Sequence, residues 1–143
     1  MTRETDYAFR VVLDLAAAQR DGQRRTAEEI ASRVDVPYRF LRNVCRKLVQ
    51  GGLLESRRGN CGGLALRKPS AEISVLDVMR IMEPKSARIN RCLGDPASCA
   101  RSGQCPVHSH LGEVQKVLDG QLDGLRFDRL CGTGTKNRKA KGT

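Results

Sequence analysis

"TAEEIASRVDVPYRFLRNVCRKLVQGG", residues 26–52, decides the reading of this chain. Thr26-Ala-Glu-Glu29 has the form of a capping box, in which the Thr hydroxyl takes a backbone N–H three residues on and the Glu returns to the Thr N–H. Ile30, Ala31 and Val34 then share one side, so a short helix is expected to begin here. After the turn "DVP", Leu41, Val44, Cys45 and Leu48 fall on one helix face, while Arg39, Arg42, Asn43, Arg46 and Lys47 occupy the others. Gly51-Gly52 ends that helix. A short helix, a tight turn and a basic amphipathic helix outline a helix-turn-helix.

The flanks extend this outline. Upstream, Ala8, Val11, Val12, Leu15 and Ala18 recur at helical spacing between Asp6 and Gln19. Downstream, "LLESRRGNCGGLALRKP" sets two apolar runs, Leu53-Leu54 and Leu64 to Leu66, around a Gly-rich basic tip, Arg57-Arg58-Gly59. That is a hairpin signal, and a hairpin after a recognition helix is a wing. Ser74 opens a fourth helix, "SVLDVMRIME", which stops before Pro84. Residues 84–105 show neither helical nor strand period. Pro106 suits the first position of a further helix, whose stripe is Val107, Leu111, Val114, Leu118, Leu122 and Leu125. Such a stripe suits packing against a second copy of the same helix. Gly112, Gly120 and Gly124 each cost it about 1 kcal/mol of propensity, so this helix is expected to be stable only when docked. The fold expected is mainly α with a small β-hairpin: a winged helix-turn-helix over 1–83, a cysteine-bearing loop over 84–105, a dimerisation helix and C-terminal element over 106–130, and a basic, disordered tail over 131–143.

The net charge of +10 is concentrated. Residues 37–68 hold eight Lys/Arg and one acid, Glu55, and the end of the chain adds Lys136, Arg138, Lys139 and Lys141, leaving the remainder near neutral. Local positive charge of this kind points to a nucleic-acid surface. In the major groove Arg reads guanine and Asn reads adenine by paired hydrogen bonds. Arg39, Arg42 and Asn43 sit early on the third helix, where base edges are reached. Arg46, Lys47, Arg57, Arg58 and the Gly59 backbone suit phosphate. The partner expected is double-stranded DNA. The chain has no 18-residue apolar run and no basic-then-apolar leader pattern, so a cytoplasmic location is expected, without membrane or small-molecule substrate.

Six cysteines in a reducing compartment favour a metal or redox role over a disulfide framework. Cys45 lies on the apolar face of the third helix and reads as core. Cys61 falls at the wing tip beside Arg57 and Arg58, where a redox role competes with a plain surface thiol. Cys131 has no assignment. Cys92, Cys99 and Cys105 are separated by six and then five residues, between two helices. Zinc sites favour closer pairs, whereas iron–sulfur clusters accept wide spacing. His108 is one candidate for a fourth ligand.

Taken together, "TDYAFRVVLDLA", the helix-turn-helix, the "RRGNCGGLALRKP" wing and the three-cysteine loop before a long helix resemble the Rrf-type winged-helix regulators. The resemblance covers residues 1 to about 130. It implies a homodimeric transcription factor, most simply a repressor, that binds a pseudo-palindromic operator and senses iron, nitric oxide or redox state through an iron–sulfur cluster. Cys92, Cys99 and Cys105 match the family's cluster ligands. His108 matches the histidine that completes a [2Fe-2S] site in IscR-like members, and Asp6 matches the aspartate, from the other subunit, that completes a [4Fe-4S] site in NsrR-like members. The first cysteine gap is one residue longer than the IscR-like pattern, which favours [4Fe-4S] and Asp6. Cys61 interrupts the wing's usual run of glycines. A basic RNA- or ribosome-associated protein with a structural zinc is the competing reading, opposed by the absence of Cys-x-x-Cys and an aromatic content of 3%. A thiol redox enzyme lacks Cys-x-x-Cys as well, so no catalytic residue is expected.

Overall fold

Thr2 begins the first helix, α1 (Arg3–Arg20), by accepting a hydrogen bond from the Thr5 N–H. The computed structural model describes residues 1–60, 62–85 and 87–133. Cys61 and the basic residues Lys136, Arg138, Lys139 and Lys141 lie outside the described residues, so the readings placed on them stay with the sequence. Ala8, Val11, Val12 and Leu15 of α1 are buried, which makes this helix the spine on which later helices of the chain pack.

The capping box forms as the sequence requires. Thr26 N donates to Glu29 at 2.8 Å and Glu29 N donates to the Thr26 hydroxyl at 3.2 Å, which starts α2 (Ala27–Val34). Asp35 ends α2 in the left-handed region at φ 53°, with its N–H on Ala31 O. A short Asp tolerates that conformation better than a branched residue. Pro37 then leads directly into α3 (Tyr38–Gln50), whose Leu41, Val44, Cys45 and Leu48 are buried. The wing is an antiparallel pair, β1 (Leu54–Arg57) and β2 (Gly63–Leu66), registering Leu54 on Leu66 and Arg57 on Gly63. Arg25 bridges to Leu64 through two backbone bonds and moors the wing beside the start of α2. Ser74 and Asp77 form a second capping box at α4 (Val75–Met82).

Three expectations need correction. Residues 84–105 are not structureless: a short helix, α5 (Arg91–Gly94), and a 3-10 turn, Pro96–Ser98, lie within them. The Asn90 side chain accepts from Arg91 N at 2.8 Å, and Asp95 accepts from Ala97 N at 3.2 Å. Such local Asx bonds order a few residues without any hydrophobic period to announce them. The expected stripe also loses its last member. The long helix, α6, runs Pro106–Gly124, and Leu125 turns out of it so that its carbonyl accepts from Val75 N at 3.0 Å. The chain then makes a further helix, α7 (Phe127–Thr133), in the stretch expected to lead into a disordered tail. Phe127, 1% exposed, is buried in the core, and its helix packs on α1 and on the 3-10 turn Ser70–Glu72. The result is a mainly helical molecule with one small two-stranded sheet, a winged helix-turn-helix followed by a long helix.

Candidate DNA interface and cysteine segment

The polar side of α3 and the inner side of the wing bound an open groove of about 980 Å³. Arg39, Arg42 and Arg46 line it from the helix and Arg58 from the wing, all four exposed. They are arrayed in this way because the opposite face of α3 is spent on the core. Arg57 is also exposed, with only a long 3.9 Å ion pair to Glu55, and Gly59 takes φ +104° at the tip. Glu55 itself accepts a 2.7 Å bond from Arg24, which anchors the wing and holds its carboxyl below the ordinary range.

Arg42 is braced. Its guanidinium lies 5.9 Å from the centre of the Tyr38 ring, a cation–π distance. The Tyr38 phenol is pushed up by its bond to Glu28, and Glu28 is held down by its own backbone N–H and then by Tyr38. Tyr38 and Phe40 are 42% and 49% exposed on the same helix, and neither was marked by the charge pattern that singled out the arginines.

Asn43 and Lys47 sit differently from the arginines. Asn43 Nδ2 donates to Glu4 Oε1 at 2.8 Å, and its Oδ1 accepts from Arg46 Nη2 at 2.7 Å. The Lys47 ammonium is in short contact with the other oxygen of Glu4. Lys47 first, and Asn43 with it, hold the Glu4 carboxyl below the usual carboxylate range, against a smaller opposing effect of burial. Both residues therefore face α1 as much as solvent. The sequence carried no mark of Glu4, because nothing local relates residue 4 to residues 43 and 47.

The five described cysteines are free thiols. Cys45 is buried, and burial pushes its thiol up to about 11. Cys92 in α5 and Cys105 before α6 are half-buried, and Cys99 is exposed. The structure brings His108 Nδ1 to 3.2 Å from Cys92 Sγ. Among the described residues no three His, Cys, Asp or Glu side chains converge closely enough to hold a metal ion. Asp6 pairs with Arg10 at 2.8 Å on the surface of α1. The segment is held on α6 by Gln115, 3% exposed, which accepts from Ile89 N and donates to Ala87 O and Asp119.

Residues 1–133 match the family model Rrf2, described as an iron-dependent transcriptional regulator. The chain is 30% identical over 135 residues to the HTH-type transcriptional repressor NsrR of Streptomyces coelicolor, covering 94% of this chain and 90% of that protein. It is also 30% identical to an rrf2-like HTH-type transcriptional regulator of Rhodobacter capsulatus, over 97% of both chains. Among solved structures, IscR of T. potens matches with a TM-score of 0.74 at 21% identity, over 99% of this chain and 93% of that one. CymR, the global cysteine regulator of B. subtilis, matches with a TM-score of 0.74 at 18% identity, over 92% of this chain and 95% of that one. No helix of the described residues is long and apolar enough to cross a membrane.

Proposed function

This chain belongs to the Rrf2 family of transcriptional regulators, and from that premise we propose that it is a homodimeric DNA-binding repressor whose operator affinity is set by an iron–sulfur cluster. Residues 1–83 read DNA, with Arg39 and Arg42 toward bases, Arg57, Arg58 and the Gly59 backbone toward phosphate, and Arg46 lining the groove between them. Residues 84–105 hold the cluster. The helix that follows carries Val107, Val114 and Leu118 exposed on its surface, an apolar face that a second copy of the chain would cover. Two-fold pairing presents two α3 helices, so the operator is a pseudo-palindrome.

The observation that carries the cluster reading is the donor set: three free thiols, Cys92, Cys99 and Cys105, with the His108 imidazole already against Cys92. Thiolates are the principal ligands of such clusters, with histidine in some sites, so the residues fit. When bound, the group supplies iron whose charge and ligation respond to redox state and to small ligands. Lys85, Arg88, Arg91 and Arg101 fall within the same segment of sequence, a local positive charge that suits an anionic centre. The His108 contact favours a [2Fe-2S] site completed within one chain, and the competing arrangement is a [4Fe-4S] site completed by Asp6 of a second copy.

Anaerobic purification with iron and sulfide tests this. The protein should be brown, and Cys99→Ala should lose the visible bands and the bound iron. His108→Ala and Asp6→Ala, measured separately, identify the fourth ligand by which one alters the spectrum. Full iron and sulfide content in Cys99→Ala overturns the cluster assignment.

A further inference from the structure

Asn43 is engaged at both ends of its amide. One end is anchored on Glu4 of α1 at 2.8 Å and the other grips the Arg46 guanidinium at 2.7 Å. A bidentate contact to adenine uses those same two atoms; each keeps a second hydrogen-bonding position, so the amide can turn onto a base edge only as far as its hold on Glu4 and Arg46 allows. Arg46 keeps its remaining N–H groups for the groove that it lines with Arg58. Lys47, on the next turn, is paired to the same carboxylate and is only 35% exposed. Glu4 is therefore a single anion on α1 serving two groups on α3.

We infer that Glu4 is a specificity-determining positioning residue, which aims Arg46 into the groove through Asn43 and withholds Lys47 from the phosphate backbone. The inference rests on the reading of α3 as the DNA-reading helix. Arg46, aimed in this way, joins Arg42 as a reader of base edges instead of a general phosphate contact. A carboxylate beside the DNA face repels phosphate and reduces binding to any duplex, while the geometry it imposes favours one sequence over others. Its removal should move those two quantities in opposite directions, which damage to the fold cannot do.

The test uses the full chain, with a duplex that the wild-type protein enriches from a random-sequence library and a scrambled duplex of the same composition. Glu4→Gln keeps an oxygen for Asn43 but drops the charge that holds Lys47. It should bind the scrambled duplex more tightly, steepen the salt dependence by about one phosphate contact, and keep its preference within about twofold. Glu4→Ala should show the same gain on the scrambled duplex, yet lose roughly tenfold in preference, the scale of one base contact. In an Arg46→Ala background Glu4→Ala should cost no further preference, because the two act in series. Equal weakening of Glu4→Ala on both duplexes overturns the inference, as does additivity with Arg46→Ala. A scan with 7-deazaadenine gives a further check: if wild-type affinity drops at one adenine and Asn43→Ala is indifferent to that change, Asn43 reads the base directly and the relay is wrong. A wild-type protein without preference for its enriched duplex refutes the reading of α3 itself, a failure separable from the others.

Discussion

Cys45 and Cys99 carry the same side chain in opposite circumstances. Cys45 fills the apolar face of α3 at 5% exposure, and desolvation raises its thiol to about 11. Cys99 is exposed on the segment between α4 and α6. Maleimide labelling of the folded, iron-free protein should modify Cys99 within minutes and Cys45 only after unfolding, because the thiolate is the reacting species; mass spectrometry of the peptides reads the order. Glu83 shows the same dependence on surroundings. Burial opposes its ionisation, but bonds from the Thr5 hydroxyl and the Thr2 N–H, the latter at 2.6 Å, together outweigh burial and hold its carboxyl below the ordinary 4.5. A carboxylate depressed in the folded state adds stability above its unfolded pKa and loses it as pH falls through the folded one. Melting temperature should therefore decline from about pH 4.5 downward, and Glu83→Gln should flatten that decline. Glu83→Ala should cost about 1–3 kcal/mol at neutral pH, since the buried Thr5 hydroxyl and the Thr2 N–H both lose their acceptor.

At the scale of elements, the wing depends on positions that exclude a side chain, Gly63 among them. Gly63 sits at φ +110°, and an added Cβ would lie 2.7 Å from the Arg25 carbonyl oxygen. Both facts exclude a side chain, because the conformation is strained for L residues and the wing approaches its mooring backbone to backbone. Gly63→Ala should cost about 1–3 kcal/mol, with hydrogen exchange accelerating first at the Arg25 and Leu64 amides. The long helix α6 gives the opposite expectation. Leu118 is 41% exposed in the protomer, so Leu118→Asp should leave a lone chain's stability within about 0.5 kcal/mol. Between two copies an unpaired charge would be costly, and sedimentation should show a monomer with weakened DNA binding. Unchanged dimers would remove α6 from the interface.

The whole molecule is closed by its C-terminal end. Phe127 is buried in the core on a helix that packs against α1, far away in sequence, and its N–H reaches Ile73 O at 3.1 Å. Phe127→Ala should destabilise the fold by about 3–5 kcal/mol, as large buried truncations do, measured by denaturant unfolding. Arg42→Ala should leave that unfolding curve alone and instead cost about 1–3 kcal/mol of operator affinity with relaxed preference. The contrast separates groups that build the scaffold from groups that use it.

The Thr26 capping box, the helix start at Ser74, the α2–turn–α3 pattern, the wing's two apolar runs and the start of α6 at Pro106 were legible in the sequence. Each is set by neighbours within a few residues, through backbone capping or hydrophobic period. The exposed arginines of α3 were legible for the same reason: a face that buries Leu41, Val44 and Leu48 must turn Arg39, Arg42 and Arg46 outward. The short helix α5 escaped because Asx bonds at Asn90 and Asp95 order it without any period. Tertiary structure alone decided that Phe127 plugs the core, that His108 rests on Cys92 and that Glu4 holds Asn43 and Lys47. Those residues are 16 to tens of positions apart in the chain. Their meetings follow from how α1, α3 and α6 pack, and packing is chosen by the summed burial of the whole core, which no local pattern of residues encodes.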